Sequence, residues 1–208
     1  MDISAPMEPI HNWRDIALHL GIITIGLFIA LSLEAGVGAI HNRHLLHTAE
    51  TNLHSEINDN RATLAGDERH LDLTQKQLED GLAILDAIKA HKTNADIPSQ
   101  NWLWNSPQAA AWDTARDSGA LALMSYEDAE SYNIIYGQQR IVNDQATVYV
   151  RDLYNITSPL HGTAKPSDLQ PAQLDTMIAA SNQALADLHL LRDYCLGLDR
   201  IYNSVKTR

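Results

Sequence analysis

The sequence predicts an all-α protein: a single N-terminal transmembrane helix continuing into a long helix, plus an antiparallel helical bundle. Three observations carry this reading. From Ile16 to Leu33 no residue bears a formal charge, and Ile, Leu, Gly and Ala fill most positions. Beyond Ile40, apolar residues recur at the three-, four- and seven-residue intervals of a helix face. No segment shows sustained period-two alternation bounded by hairpin turns, so the pattern offers no strand.

After a short segment, residues 1–12, the first element runs from Trp13 to Ile40. A helix of the length of Ile16–Leu33 rises roughly 27 Å, close to the hydrocarbon thickness of a bilayer. Trp13 and Arg14 stand where an interfacial aromatic and a snorkelling cation belong. Val37-Gly38-Ala39 satisfies the small-residue rule for signal cleavage. The apolar run is longer than a signal peptide's, however, and Glu34 interrupts the approach to the site, so a retained anchor is expected. Arg14 and Arg43 flank the span on opposite sides and leave its orientation tied on charge.

Gly26, Ala30 and Glu34 share one face of this helix at four-residue spacing. A small-xxx-small pair lets a second helix approach closely, and an ionisable group near the end of a span faces protein, water or the headgroups. These three residues are the candidate helix–helix contact within the membrane.

The second element is a helix over about residues 41–90, with Ile57, Leu64, Leu71, Leu78 and Leu85 every seven residues. Asn60, Asp67 and Thr74 interleave with them, which makes the seam narrower than that of a good coiled coil. Gly66 is the expected weak point. A loop follows over 91–105, containing Asp96, Pro98 and Asn101. Ser106-Pro107 predicts a helix over 107–118, serine as cap and proline in the first turn. Ser125, with Glu127 and Asp128 behind it, opens a helix over 126–157. A loop over 158–168 leads to the last helix, 170–205, where Leu174, Met177, Ser181, Ala184, Leu188, Leu191, Cys195, Leu198, Tyr202 and Val205 form an alternating three–four stripe.

Composition excludes several classes of function. The 208 residues carry 15 Lys+Arg against 26 Asp+Glu, a formal charge of −11, with no basic run. Neutralising phosphates requires clustered cations, so no nucleic-acid partner is expected. Cys195, the single cysteine, rules out an intrachain disulfide and a multi-cysteine metal site. There is no G-x-S-x-G elbow, no P-loop and no nucleotide-binding glycine fingerprint, so no catalytic residue is assigned and the chain reads as a non-enzyme. No cofactor is predicted.

Two clusters are candidate binding residues. His47, Glu50 and His54, spaced by three and four, can share a helix face and offer imidazole and carboxylate to zinc or another divalent metal. Solvated histidines, or a pH sensor, account for the same residues. Trp102, Trp104 and Trp112 pack into the bundle or, exposed together, anchor an interface.

Asn12-Trp13-Arg14-Asp15, the run from Ile25 to Glu34, His41-Asn42-Arg43-His44 and the segment Trp112 to Leu121 resemble an uncharacterised group of small bacterial inner-membrane proteins. The resemblance covers about half the chain. It implies one N-terminal span with a helical tail on the periplasmic side, and supplies no activity or site residues. The expectation is a single-pass protein whose partners are membrane lipid and either further copies of itself or a larger membrane complex. It would serve as a scaffold or accessory subunit, the alternative being an extracytoplasmic bundle that senses a ligand, a metal or pH.

Overall fold

Helical periodicity in the sequence becomes burial in the structure. A computed structural model describes residues 13–93, 95–96, 104–160 and 168–204. Four α-helices account for most of them: α1 (Trp13–Lys89), α2 (Ala110–Asp117), α3 (Tyr126–Thr157) and α4 (Pro171–Ser204). Two 3-10 turns, Ala120–Leu123 and Ser158–Leu160, join them, and no strand occurs among the described residues. The expected all-α class is therefore what forms. The N-terminal segment 1–12, much of the two expected loops, Trp102 and Val205 lie outside the described residues.

The chain divides into two compact units, residues 1–48 and 49–208. In the first, α1 is helical from Trp13 onward, and its most apolar 18-residue window has a mean hydropathy of 2.4 with none of it buried within the chain. By length and composition it is the one helix among the described residues able to cross a membrane. Thr24 and Ser32 return their hydroxyls to the carbonyls of Leu20 and Phe28, each at 2.7 Å. Their polar groups are thus satisfied inside the helix, as an apolar medium requires.

The second unit is built on three long helical segments. On α1, Ala49, Leu53, Ile57, Asn60, Leu64 and Asp67 begin a four–three alternation of buried positions that runs to Ile88. On α4, all the described stripe positions from Leu174 to Tyr202 are buried. On α3 the buried face includes Tyr132, Ile135, Gln139, Val142, Ala146, Tyr149 and Leu153. Near one end, Leu85 and Ile88 pack with Leu169, Leu174 and Met177.

Cross-links fix the directions. Lys89 meets Asp175, Asp72 meets Arg192 at 2.7 Å, and Arg61 meets Asn203, so α4 runs antiparallel to α1. Gln145 meets Asp187 and Gln139 meets Tyr202, so α3 and α4 are also antiparallel. Glu56 meets Tyr136 and His54 meets Tyr132, so α1 and α3 are parallel. The antiparallel expectation therefore holds for α4 against both neighbours and is corrected for α1 with α3.

Two parallel helices in succession need a connection that travels back along the bundle. Its described part, 104–111, runs antiparallel to α1 and is tied there by polar residues of the α1 face. Asp67 accepts from the Asn105 backbone at 3.2 Å and from its side-chain amide at 2.9 Å. Asn60 exchanges two 2.7 Å bonds with the backbone of Gln108, donating to its carbonyl and accepting from its N–H. Glu56 accepts from the Ala111 N–H at 2.9 Å and from the Tyr136 hydroxyl at 2.8 Å. Asn60 and Asp67, two of the three polar positions that narrow the α1 seam, are thus anchors of the returning strap, whereas the Thr74 hydroxyl returns to the His70 carbonyl of its own helix.

This explains where the second helix starts. Ser106-Pro107 does not open it; α2 begins at Ala110, with no side-chain cap from Ala109. The Gln108 carbonyl is taken by Asn60, so it does not act as a helix acceptor, and Glu56 satisfies an orphan first-turn amide from outside the helix.

The other expected helix starts agree closely. Ser125 caps α3 by accepting from the Asp128 N–H at 3.1 Å. Pro171 opens α4, and the Gln173 side chain accepts from the Gln170 N–H at 2.8 Å. Gly66 does not interrupt α1. The helix instead ends beyond Lys89, where His91 takes φ +54° and the Lys92 N–H reaches the Ala87 carbonyl at 2.9 Å. That closure has the form of a Schellman motif with histidine in the usual glycine position.

Candidate functional site

Gly26, Ala30 and Glu34 lie exposed on the first unit's helix. A methyl group built on Gly26 would meet nothing within 4 Å, so this glycine is not required by packing within the chain.

His47, Glu50 and His54 divide between the two units. His47 is exposed in the first unit, whereas Glu50 and His54 are half-buried in the second. The His54 ring lies 6.0 Å from that of Tyr132. Among the described residues, no three His, Cys, Asp or Glu side chains are grouped so as to hold a metal ion. Glu50 and His54 instead line a groove of about 840 Å³ with Glu127, Asp128 and Tyr132. Burial first, then the charges of Glu50 and Asp128, pushes the Tyr132 phenol up to about 12, so it stays protonated there.

Trp104 and Trp112 are both half-buried in the second unit. The Trp104 indole N–H donates to Asn143 Oδ1 at 3.4 Å. Trp112 stacks on Tyr136 with ring centroids 5.2 Å apart and planes 18° from parallel, a geometry favourable for two π faces. Burial, reinforced by the bond to Glu56, drives the Tyr136 phenol well above its ordinary range.

Beside this pair is a pocket of about 310 Å³ lined by Pro107, Ala109, Trp112, Asp113, Arg116, Tyr136, Gln139, Arg140 and Asn143. Gln139 is only 2% exposed, and its amide nitrogen donates to the Tyr202 hydroxyl at 2.9 Å. Its Oε1 is buried without a hydrogen-bond partner. Arg116 is held by Asp113 at 3.0 Å and Asp117 at 3.1 Å.

A further polar network joins α3 and α4 around Asp152 and Asp187. Gln145 and Gln183 donate to Asp187 at 3.0 and 2.7 Å, and Arg151 lies 3.3 Å from Asp152. Burial and a hydrogen bond with Asp187 raise Asp152 above the usual carboxylate range. For Asp187, burial opposes ionisation, but the bonds from Asp152, Gln183 and Gln145 outweigh it and hold the carboxyl low. Cys195 is fully buried, and burial, with the charges of Glu68 and Asp67, pushes its thiol up to about 12, which makes it inert at neutral pH.

Sequence reasoning placed Trp104 and Trp112 together as aromatics but did not find Gln139, Arg140 or Asn143 beside them. The signal available was a glutamine at a core position of the α3 repeat, between Tyr136 and Val142.

Fold and site together define a class: an all-helical bundle with an apolar N-terminal helix able to cross a bilayer. No family model, curated protein or solved structure matches the chain.

Proposed function

We propose that the protein is a membrane-anchored helical scaffold or accessory subunit, without catalytic activity, that acts through protein–protein contacts in the bilayer and outside it. One observation carries the reading: the most apolar window of α1 has no burial within the chain, whereas the bundle encloses its own core. A core helix of a soluble protein would have been covered. Lipid covers it here, and Gly26, Ala30 and Glu34 form the face on which a second copy, or a helix of a larger membrane complex, packs. The tail lies on the periplasmic side of a bacterial inner membrane, as the sequence resemblance implies.

Membrane fractionation followed by mass measurement in mild detergent tests this. The protein is expected in the membrane fraction and above monomer mass, with Gly26→Leu shifting it towards monomer. A Cβ on Gly26 meets nothing within 4 Å among the described residues, so that change reads contacts between molecules. A soluble protein, or a monomer indifferent to Gly26→Leu, overturns the reading. Protease digestion of the tail in spheroplasts, with the cytoplasm intact, tests the topology.

A second reading, a ligand-sensing bundle, is favoured by the pocket beside Trp112.

A further inference from the structure

We propose that the pocket between α2 and α3 binds a small carboxylate that also carries a hydroxyl or amine hydrogen-bond donor. This goes beyond the scaffold reading and stands independently of it.

The volume, about 310 Å³, lies at the lower end of small-molecule sites. Among the described residues, one cation of its lining stands outside the ion pairs. Arg116 is engaged by Asp113 and Asp117, whereas Arg140 is exposed and pairs with no carboxylate among the described residues. A guanidinium is the side chain best shaped to grip a carboxylate by two parallel bonds. In a chain of formal charge −11, an unpaired arginine in a concavity selects for an anion locally against the field of the whole molecule.

The polar floor adds selectivity. Asn143 uses its Oδ1 to accept from Trp104, so its amide N–H groups remain available as donors to an anion. Gln139 commits its amide nitrogen to Tyr202, leaving an acceptor buried without a partner. An orphaned buried acceptor costs free energy, and a turn of the Gln139 side chain that brings its Oε1 to a ligand donor recovers that loss. The Trp112 indole, braced on Tyr136, supplies an apolar wall. Pro107 and Ala109 form part of the rim, and the strap that carries them is fixed by the Asn60–Gln108 pair. The strap side of the pocket is therefore in place before any ligand arrives.

Titration of the full chain in mild detergent with 4-hydroxybenzoate, benzoate, glycolate, L-serine and inorganic phosphate, followed by calorimetry and tryptophan fluorescence, tests the assignment. At least one probe is expected to bind saturably below about 10 mM, weakened about tenfold or more by Arg140→Gln and retained in part by Arg140→Lys. Gln139→Leu is expected to erase the preference for 4-hydroxybenzoate over benzoate, which lacks the donor. Circular dichroism verifies that each variant stays folded, and Arg61→Gln, outside the pocket, is the control. No saturable binding by any probe, binding indifferent to Arg140→Gln, or tighter binding of inorganic phosphate than of every carboxylate overturns the proposal.

Discussion

Replacing Asn60 by alanine tests whether the strap is a structural member of the bundle. Asn60 is 2% exposed and occupies a repeat position between Leu53 and Asp67 where a simple coiled-coil reading would prefer a leucine. On that reading the polar residue is a defect and its loss is nearly neutral. The structure gives the opposite sign, because both of its 2.7 Å bonds go to the backbone of Gln108. Alanine leaves one N–H and one carbonyl without partners, each costing about 1–3 kcal/mol if water does not replace the bond. Gln108 itself is exposed, so the lower part of that range applies and the expected loss is about 2–3 kcal/mol. Urea unfolding of the full chain in detergent, followed by tryptophan fluorescence, measures it. Hydrogen exchange at the Gln108 amide gives a second, local readout and should accelerate more than amides on α4. A change below about 0.5 kcal/mol with Gln108 exchange unaltered refutes the argument that the seam's polar residues hold the strap.

Other expectations concern the helix end and pH. His91→Gly should stabilise the unit by about 0.5–1 kcal/mol, since a left-handed backbone strains a residue with a Cβ and the entropy of the unfolded chain returns only part of the gain; a lower urea midpoint contradicts this. Burial raises Asp67, Glu68 and Asp152 above their usual values, so the folded state holds more protons than the unfolded chain between the ordinary carboxylate range and the raised values. Stability therefore rises as pH falls from neutral through that window, and the contribution of Asp187 is lost below the ordinary aspartate value of 3.8, where the unfolded chain takes up a proton that folded Asp187, held low, still resists. Unfolding midpoints at neutral and mildly acidic pH check the sign; a monotonic fall on acidification contradicts it.

The helices were legible in the sequence because each buries one stripe. The α4 stripe from Leu174 to Tyr202, the Ser125 cap and the Pro171 start follow from residue type and spacing alone. The parallel arrangement of α1 and α3 was not, because periodicity tells which face is buried and not which neighbour covers it. Asn60 and Asp67 stood out as polar interruptions, but their partners Gln108 and Asn105 are 48 and 38 residues away, and no local rule connects them. The helix start moved from Pro107 to Ala110 for the same reason: a long-range bond took the carbonyl that a local rule assigned to the helix. Among the site residues, the aromatics announced themselves by type. The pocket did not, because it needs Arg116 from α2 beside Gln139 and Arg140 from α3. The histidine cluster illustrates the limit of spacing: His47, Glu50 and His54 lie along one helix but divide between two units.

The contact between Arg61 and Asn203 spans 142 residues. At roughly 5–20 residues per second of synthesis, the greasy edge of α1 waits on the order of ten seconds for α4 to exist. Throughout that interval the nascent polypeptide displays a row of leucines without the α4 stripe that completes their cover. A ribosome-stalled or truncated product lacking α4 should therefore be a substrate for chaperones and proteases rather than a smaller working version of the bundle.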